Sequence, residues 1–356
     1  MPANINNGVF CVLPWIEKFQ EIDGKSYLCC HSRHELTNGI AEDIRSKIWQ
    51  GVKVDACEKC YTLEDQKAVS PRLIESIRWM KDPEVKQYFS QDTAPDPKLY
   101  YLELRYDNKC NLTCIMCSPL YSNLWGKELG NENFIVNESV PLHLLHTAKK
   151  IYLSGGEPLI NSRYLELFDY IIEHDIDVEL VINTNLTSVS DKVFDRLQKI
   201  KNCCLNISVD AGGSVNEYHR YPMTWNKFKR NLATVKALGI KCSICTVASA
   251  VSVFGFDQLL EIDDYPLYWD FNLLTWPRAL QIENIPDALK PLALERVAVL
   301  KSSKFYKKDF IFRSKVDAVL AKISQPGDEF LLSNYIQQLD TRRGINHVDY
   351  LGVNLI

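Results

Sequence analysis

Three cysteines within eight residues, Cys110-Asn-Leu-Thr-Cys114-Ile-Met-Cys117, constrain this chain more than any other stretch. They follow directly on the strand-like run from Tyr100 to Tyr106. Three thiolates on one short loop can ligate three irons of a cubane iron–sulfur cluster and leave the fourth iron open to a non-protein ligand. The competing reading is a tetrahedral zinc site, which needs a fourth protein ligand. His143 and His146 are near enough in sequence to keep that reading open.

The spacing C-x3-C-x2-C resembles the signature of the radical S-adenosylmethionine (radical SAM) superfamily, and Leu153-Ser-Gly-Gly-Glu-Pro158 resembles its second motif. The resemblance implies a [4Fe-4S] cluster on Cys110, Cys114 and Cys117 that binds S-adenosylmethionine (SAM). Reductive cleavage of SAM would then yield methionine and a 5′-deoxyadenosyl radical that abstracts hydrogen from a substrate carbon. Gly155 and Gly156 free the backbone to approach a ligand closely, and the Glu157 carboxylate can accept from an ammonium group. By resemblance this turn meets the methionine amino group of SAM.

From Tyr100 onward, short apolar strands alternate with amphipathic helices, the pattern of β/α units around a parallel sheet. Strands are expected at 100–106, 150–154, 178–183, 204–209, 240–248 and 268–274, and helices at 141–149, 162–174, 191–199 and 226–238. Six strands give an α/β fold of the partial (β/α)6 TIM-type barrel class, spanning residues 98–286. Asn183 and Ser208 fall at strand C-terminal ends, where barrels place their sites.

The segment from Ser208 through Asp210 to His219-Arg220 resembles one found in peptide-modifying radical SAM enzymes. There the strand-four serine and the downstream arginine contact the methionyl carboxylate of SAM, which implies that role for Ser208 and Arg220; a structural Asp210–Arg220 pair reads the same residues differently. His219 reads as a loop residue beside the arginine, and Ser249 and Ser252 as facing the cavity. The pairs Cys203/Cys204 and Cys242/Cys245 lie on strands with their members on opposite faces, so they read as buried apolar cysteines rather than as metal ligands.

Before the barrel, residues 1–95 hold Cys11, Cys29, Cys30, Cys57 and Cys60. The order C-x12-G-x4-C followed by C-x2-C resembles the first part of the auxiliary-cluster modules called SPASM and twitch domains, placed here ahead of the barrel. The resemblance implies a second, auxiliary [4Fe-4S] cluster on Cys11, Cys29, Cys57 and Cys60, with Cys29 favoured over Cys30 because it keeps the glycine spacing. A four-cysteine zinc knuckle would use the same residues. Within this region Ser70 caps a helix that runs to Met80, with Leu73, Ile77 and Met80 expected on its inner face. After the barrel, 287–356 reads as a helical extension, and the role of its run Leu339-Asp-Thr-Arg-Arg-Gly344 is not evident from the residues.

With 356 residues, 46% of them apolar, the chain can bury a large core, and a formal charge of −4 offers phosphates no general attraction. No membrane span or signal peptide is apparent in it, so a cytoplasmic protein is expected, and its twelve cysteines are then not expected to pair as disulfides, the clustered ones reading as metal ligands. The resemblance implies an electron donor such as flavodoxin or ferredoxin as partner. The leading substrate is an amino-acid residue of a peptide, followed by an amino-acid-like group on a nucleotide or other small molecule. Outside enzymology the alternatives are an iron–sulfur electron-transfer protein and a zinc-dependent binding protein.

Overall fold

The computed structural model describes residues 8–32, 34–35, 39–65, 69–137 and 142–356. The chain divides into two compact units: Met1–Asp107 with Val136–Gly155 and His174–Leu180, and Asn108–Ile135 with Gly156–Glu173 and Val181–Ile356.

In the first unit four strands lie side by side in the order β2-β1-β3-β4: β1 Glu17–Gln20, β2 Ser26–Tyr27, β3 Tyr101–Arg105 and β4 Lys150–Ser154. β1 runs antiparallel to β2 but parallel to β3, with Glu17 opposite Tyr101. β3 and β4 are parallel, with Tyr101 opposite Lys150 and Arg105 opposite Ser154. β1 escapes sequence reading because Glu-Lys-Phe-Gln buries only Phe19 and carries no apolar run. Beneath these strands Phe10, Trp15, Trp49 and Phe89 pack ring against ring, with centroids 5.3 to 6.2 Å apart.

The helix expected after Ser70 forms as Pro71–Trp79, and Ser70 Oγ accepts from Leu73 N at 3.3 Å. Its inner face differs from expectation. Ile77 is 61% exposed, while Arg72 and Trp79 are buried. Arg72 turns inward because its guanidinium has polar work there: Nη1 donates to Phe10 O at 2.7 Å, Nη2 to Gly8 O at 3.0 Å, and Nε to Glu64 Oε1 at 3.0 Å. The helix expected at 141–149 appears as a short 3-10 helix, Leu142–His146, and Pro141 lies outside the described residues.

The expected strand at 178–183 forms as β5 Glu179–Thr184. In the second unit β6 Cys203–Ser208, β7 Lys241–Ala248 and β8 Trp269–Leu273 are parallel and in register, which aligns Ser208 with Cys245 and Cys245 with Asp270. Their other face is apolar: Leu205, Ile207, Ile244 and Phe271 are fully buried. Phe312 of the helix Phe310–Ile323 packs there against Trp269, tilted, and against Phe271, edge-on, at centroid distances of 5.5 and 5.6 Å. Strand follows helix through this unit, and a helical region closes the chain, so the α/β class of partial-barrel type holds. No helix among the described residues is long and apolar enough to cross a membrane.

Candidate active site and auxiliary metal centre

The three-cysteine loop lies in the second unit, and its conformation is set by hydrogen bonds rather than by regular structure. Cys117 N donates to Cys114 O at 2.9 Å, closing a turn, and Cys110 N donates to Asn123 Oδ1 at 3.0 Å. Thr113 N and Ile115 N donate to Tyr221 O at 2.6 Å and His219 O at 2.9 Å, which ties the loop to the segment carrying Arg220. All twelve cysteines are free of disulfides. Burial pushes the Cys110 thiol well above its ordinary range and Cys117 up to about 12, and the nearby cysteines add to both. Burial raises Cys114 as well, against the opposing charge of Arg220. Three clustered thiols that resist ionisation on their own suit a strongly cationic occupant, so the donor set fits an iron–sulfur cluster.

The Gly155-Gly156-Glu157 turn is built on close backbone approach. Gly155 has φ +111°, a conformation that side chains rarely adopt. A Cβ on Gly156 would lie 2.1 Å from Lys109 O, and Glu157 N donates to that same carbonyl at 2.7 Å. The Glu157 side chain points inward and is 2% exposed. Its carboxylate accepts from Thr184 Oγ1 at 2.6 Å, Asn185 N at 2.6 Å and Leu159 N at 3.1 Å. Burial pushes its pKa up to about 7 in spite of these donors and of the charge on Arg220. The carboxylate that the sequence offers to an ammonium group thus already brackets the end of β5, with about one of its four acceptor sites left over.

Asn183 and Ser208 come together: Ser208 Oγ donates to Asn183 Oδ1 at 3.3 Å, as does Asn206 Nδ2 at 3.3 Å. Arg220 is 6% exposed, its Nε lies 2.7 Å from Asp210 Oδ2, and its Nη1 lies 3.9 Å from Cys114 Sγ. His219 Nδ1 approaches the same Asp210 oxygen at 3.1 Å, and neither side chain meets that oxygen at good hydrogen-bond angles. Burial alone would raise the Asp210 carboxyl, but Arg220 and then His219 hold it down to about 2. Ser249 and Ser252, expected to face the cavity, are fully buried. Ser249 Oγ instead lies 3.1 Å from His219 Nε2 and donates to Ser252 Oγ at 3.2 Å, because buried hydroxyls beside an imidazole must be satisfied internally. Cys203 and Cys242 are buried as read, whereas Cys204 and Cys245 are part-exposed on the face that carries Ser208.

Reading the sequence missed the residues that support these. Thr184 and Asn185 hold Glu157, and Asn185 Nδ2 also donates to Asn111 Oδ1 at 2.9 Å, inside the cysteine loop. The polar run Asn183-Thr-Asn185 carried the signal, though not the division of labour within it.

In the first unit Cys11, Cys29, Cys57 and Cys60 line one cleft together with His31, Lys59 and Arg72. Cys30 is not among its lining residues; its sulfur lies with carboxylate oxygens of Glu17 and Glu103, all three atoms within 4.8 Å of one another. The bonds from Arg72 to Phe10 O and Glu64 draw the segment before Cys11 towards the helix Glu58–Asp65, which carries Cys60. Burial raises Cys29 and Cys60, takes Cys57 to about 11, and lowers His31 to about 4. A neutral imidazole and four thiols, two buried and two half-buried, are compatible with either an iron–sulfur cluster or zinc.

A sequence profile of the radical SAM superfamily matches residues 106–252. An uncharacterised protein of Methanocaldococcus jannaschii is 28% identical over 159 residues, covering 42% of this chain and 53% of the relative. The GTP 3',8-cyclase of Campylobacter lari is 29% identical over 116 residues, covering 31% of this chain and 34% of that enzyme. The chain therefore spans about half the length of the first relative and a third of the second. Among solved structures, native anSMEcpe with bound AdoMet aligns at TM-score 0.45 and 17% identity, covering 60% of this chain and 62% of that one. SuiB of Streptococcus suis bound to S-adenosylmethionine aligns at 0.43 and 16%, covering 78% and 60%. Residues 106–252 of this chain are therefore similar to the domain of the radical SAM superfamily.

Proposed function

We propose that the protein is a radical SAM enzyme that modifies an amino-acid residue of a peptide. The observation that carries the enzyme reading is the three-thiol loop with Arg220 Nη1 3.9 Å from Cys114 Sγ, all within the matched domain. Cys110, Cys114 and Cys117 would hold the [4Fe-4S] cluster. Gly155, Gly156 and Glu157 would flank the SAM amino group, and Asn183, Ser208 and Arg220 its remaining polar groups. The bound cluster and SAM supply the reductive cleavage that makes a carbon-centred radical; the protein's own part is to hold the partners and exclude water. Arg220 is itself anchored by Asp210, so an incoming carboxylate would share an already paired guanidinium. Incubation of the reconstituted, reduced protein with SAM tests this: 5′-deoxyadenosine is expected, and no excess over a Cys114→Ala control would sink the reading.

The peptide preference draws support from the polar face of β6–β8. Ser208, Cys245 and Asp270 share one level, and Lys315 Nζ donates to Asp270 at 2.6 Å and to Asn272 at 2.9 Å. That face is rich in hydrogen-bonding groups and balanced in charge, as an amide substrate would need; a triphosphate would have to compete with Asp270 for Lys315 and with Asp210 for Arg220. The nucleotide reading rests on the GTP 3',8-cyclases, whose similarity covers a third of their length. Incubation with SAM and either GTP or a peptide library, followed by mass spectrometry, separates the two.

For residues 1–95 we propose an auxiliary cluster domain in which Cys11, Cys29, Cys57 and Cys60 close a [4Fe-4S] site, ahead of a barrel at 98–286 and a helical extension at 287–356. With all four ligands from protein, it would carry electrons or stiffen the fold rather than bind substrate. A flavodoxin or ferredoxin would deliver the electron in the cytoplasm.

A further inference from the structure

Four successive carbonyls of the cysteine loop are each taken by a side-chain donor. Ser122 Oγ donates to Leu112 O at 2.7 Å, Arg343 Nη2 to Thr113 O at 2.6 Å, Trp125 Nε1 to Cys114 O at 2.8 Å, and Tyr335 Oη to Ile115 O at 2.5 Å. The first and third donors are local. The second and fourth come from the helix Glu329–Arg343, more than two hundred residues later in the chain.

Arg343 is the last residue of that helix, and Gly344 ends it in the left-handed conformation with φ +63°. Its side chain is 2% exposed. The guanidinium lies 4.8 Å from the Tyr221 ring and 5.2 Å from the Trp125 ring; its Nε donates to Glu128 at 3.0 Å, and Nη2 reaches Thr113 Oγ1 as well at 3.0 Å. Nη1 is sealed from solvent without a hydrogen-bond partner. One turn earlier, Asp340 anchors the helix by accepting from Tyr218 Oη at 2.8 Å and His347 N at 2.9 Å. Burying an arginine with one nitrogen unsatisfied is costly, and simple packing of the tail would not require it.

We infer that the C-terminal helix is a latch on the cysteine loop, with Arg343 and Tyr335 as positioning residues that fix the backbone at Thr113 and Ile115. The inference rests on the reading of Cys110, Cys114 and Cys117 as cluster ligands. It gives a role to the run Leu339–Gly344, which the sequence left unassigned. Two effects follow for the cluster. The pinned backbone keeps the ligands in place, and the loop's carbonyl dipoles are held by donors while a buried cation lies near Cys114. Hydrogen bonding, charge and solvent exposure around the sulfurs set a cluster's potential, and a nearby cation favours the reduced, more negative state.

The test needs no turnover. Full-length reconstituted protein is titrated by electron paramagnetic resonance for midpoint potential and challenged with a ferrous chelator for the rate of iron release. The cluster in question is the signal absent from a Cys114→Ala control. Arg343→Met should release its iron several-fold faster and show a more negative midpoint. Tyr335→Phe, a milder change that keeps every charge, should release iron faster with a midpoint near wild type. Arg343→Lys should return the midpoint towards wild type without restoring retention, because an ammonium cannot span Thr113 and Glu128 as the planar fork does. Wild-type release rates and midpoints in both Arg343→Met and Tyr335→Phe would overturn the latch alone. A wild-type protein lacking the Cys114-dependent signal would overturn the cluster reading, and the latch with it.

Discussion

Arg220 Nε lies 2.7 Å from Asp210 Oδ2, with the acid fully buried and the guanidinium nearly so. Removing one member of a buried ion pair strands the other's charge, which costs roughly 3–5 kcal/mol. Asp210→Asn should therefore destabilise the protein by about that amount, even though the carboxamide fills the same volume. Val247 N, which donates to Asp210 Oδ1 at 2.9 Å, keeps an acceptor if the amide is oriented correctly, so the loss is mainly electrostatic. Denaturant melts of wild type and variant check it; a difference under about 1 kcal/mol would place Arg220's counter-charge elsewhere.

Glu157 makes the fold sensitive to pH near neutrality. Burial lifts its pKa from 4.5 to about 7, so the folded protein holds this proton more tightly than the unfolded chain does. Its contribution is fully present below about pH 4.5 and fades as pH rises through 7, a loss on the order of 3 kcal/mol. Asp210 acts in a separate window, since its depressed pKa matters only as pH falls from 3.8 towards 2. Between pH 5 and 7 the slope of unfolding free energy against pH should be more negative in wild type than in Glu157→Gln, on top of the rising contribution that buried His31, lowered to about 4, makes in both proteins up to about pH 6.5. An equal slope in the two proteins would exclude this contribution from Glu157.

What the sequence discloses and what it hides divide by distance along the chain. All six expected barrel strands form within one or two residues of expectation, because buried parallel strands are apolar runs between turn residues. Cysteine spacing and the double glycine are equally local. The helix after Ser70 forms as expected, but its inner face differs because the inward turn of Arg72 depends on Glu64 and on carbonyls at Gly8 and Phe10, which periodicity does not register. Thr184 on Glu157, and Tyr335 on Ile115, are bonds between residues 27 and 220 positions apart. The polar run around Thr184 does not single it out, and nothing near Tyr335 in sequence marks it as a supporting group.

The two glycines of the turn should differ in their tolerance of alanine. A Cβ at Gly156 would sit 2.1 Å from Lys109 O and 2.8 Å from Asn108 C, both backbone atoms of the cysteine loop's approach, so relief requires moving that loop. Gly156→Ala is expected to cost about 3 kcal/mol or more and to weaken the cluster site. At Gly155 the nearest atom is 3.0 Å away and the penalty comes from φ +111°, for which about 1–3 kcal/mol is typical. Thermal shifts of the two variants, with iron content measured alongside, test the order; a milder Gly156→Ala would mean that the loop yields easily.

The adjacent pair Cys29 and Cys30 offers the sharpest test of the auxiliary site. Cys29 lines the cleft with Cys11, Cys57 and Cys60, while the sulfur of Cys30 lies with the carboxylates of Glu17 and Glu103. A thiolate ligand is replaced poorly by a hydroxyl, so Cys29→Ser should lose the auxiliary cluster's iron and sulfide while keeping the Cys114-dependent cluster. Cys30→Ser should retain both, because its neighbours are acids that a hydroxyl can serve as a donor. Iron, sulfide and zinc are then counted per chain after anaerobic purification. The reverse pattern would make Cys30 the ligand and require the segment around Gly24–Cys30 to turn over. Zinc in wild type, with no second complement of iron, would replace the auxiliary cluster by a zinc knuckle on the same four cysteines.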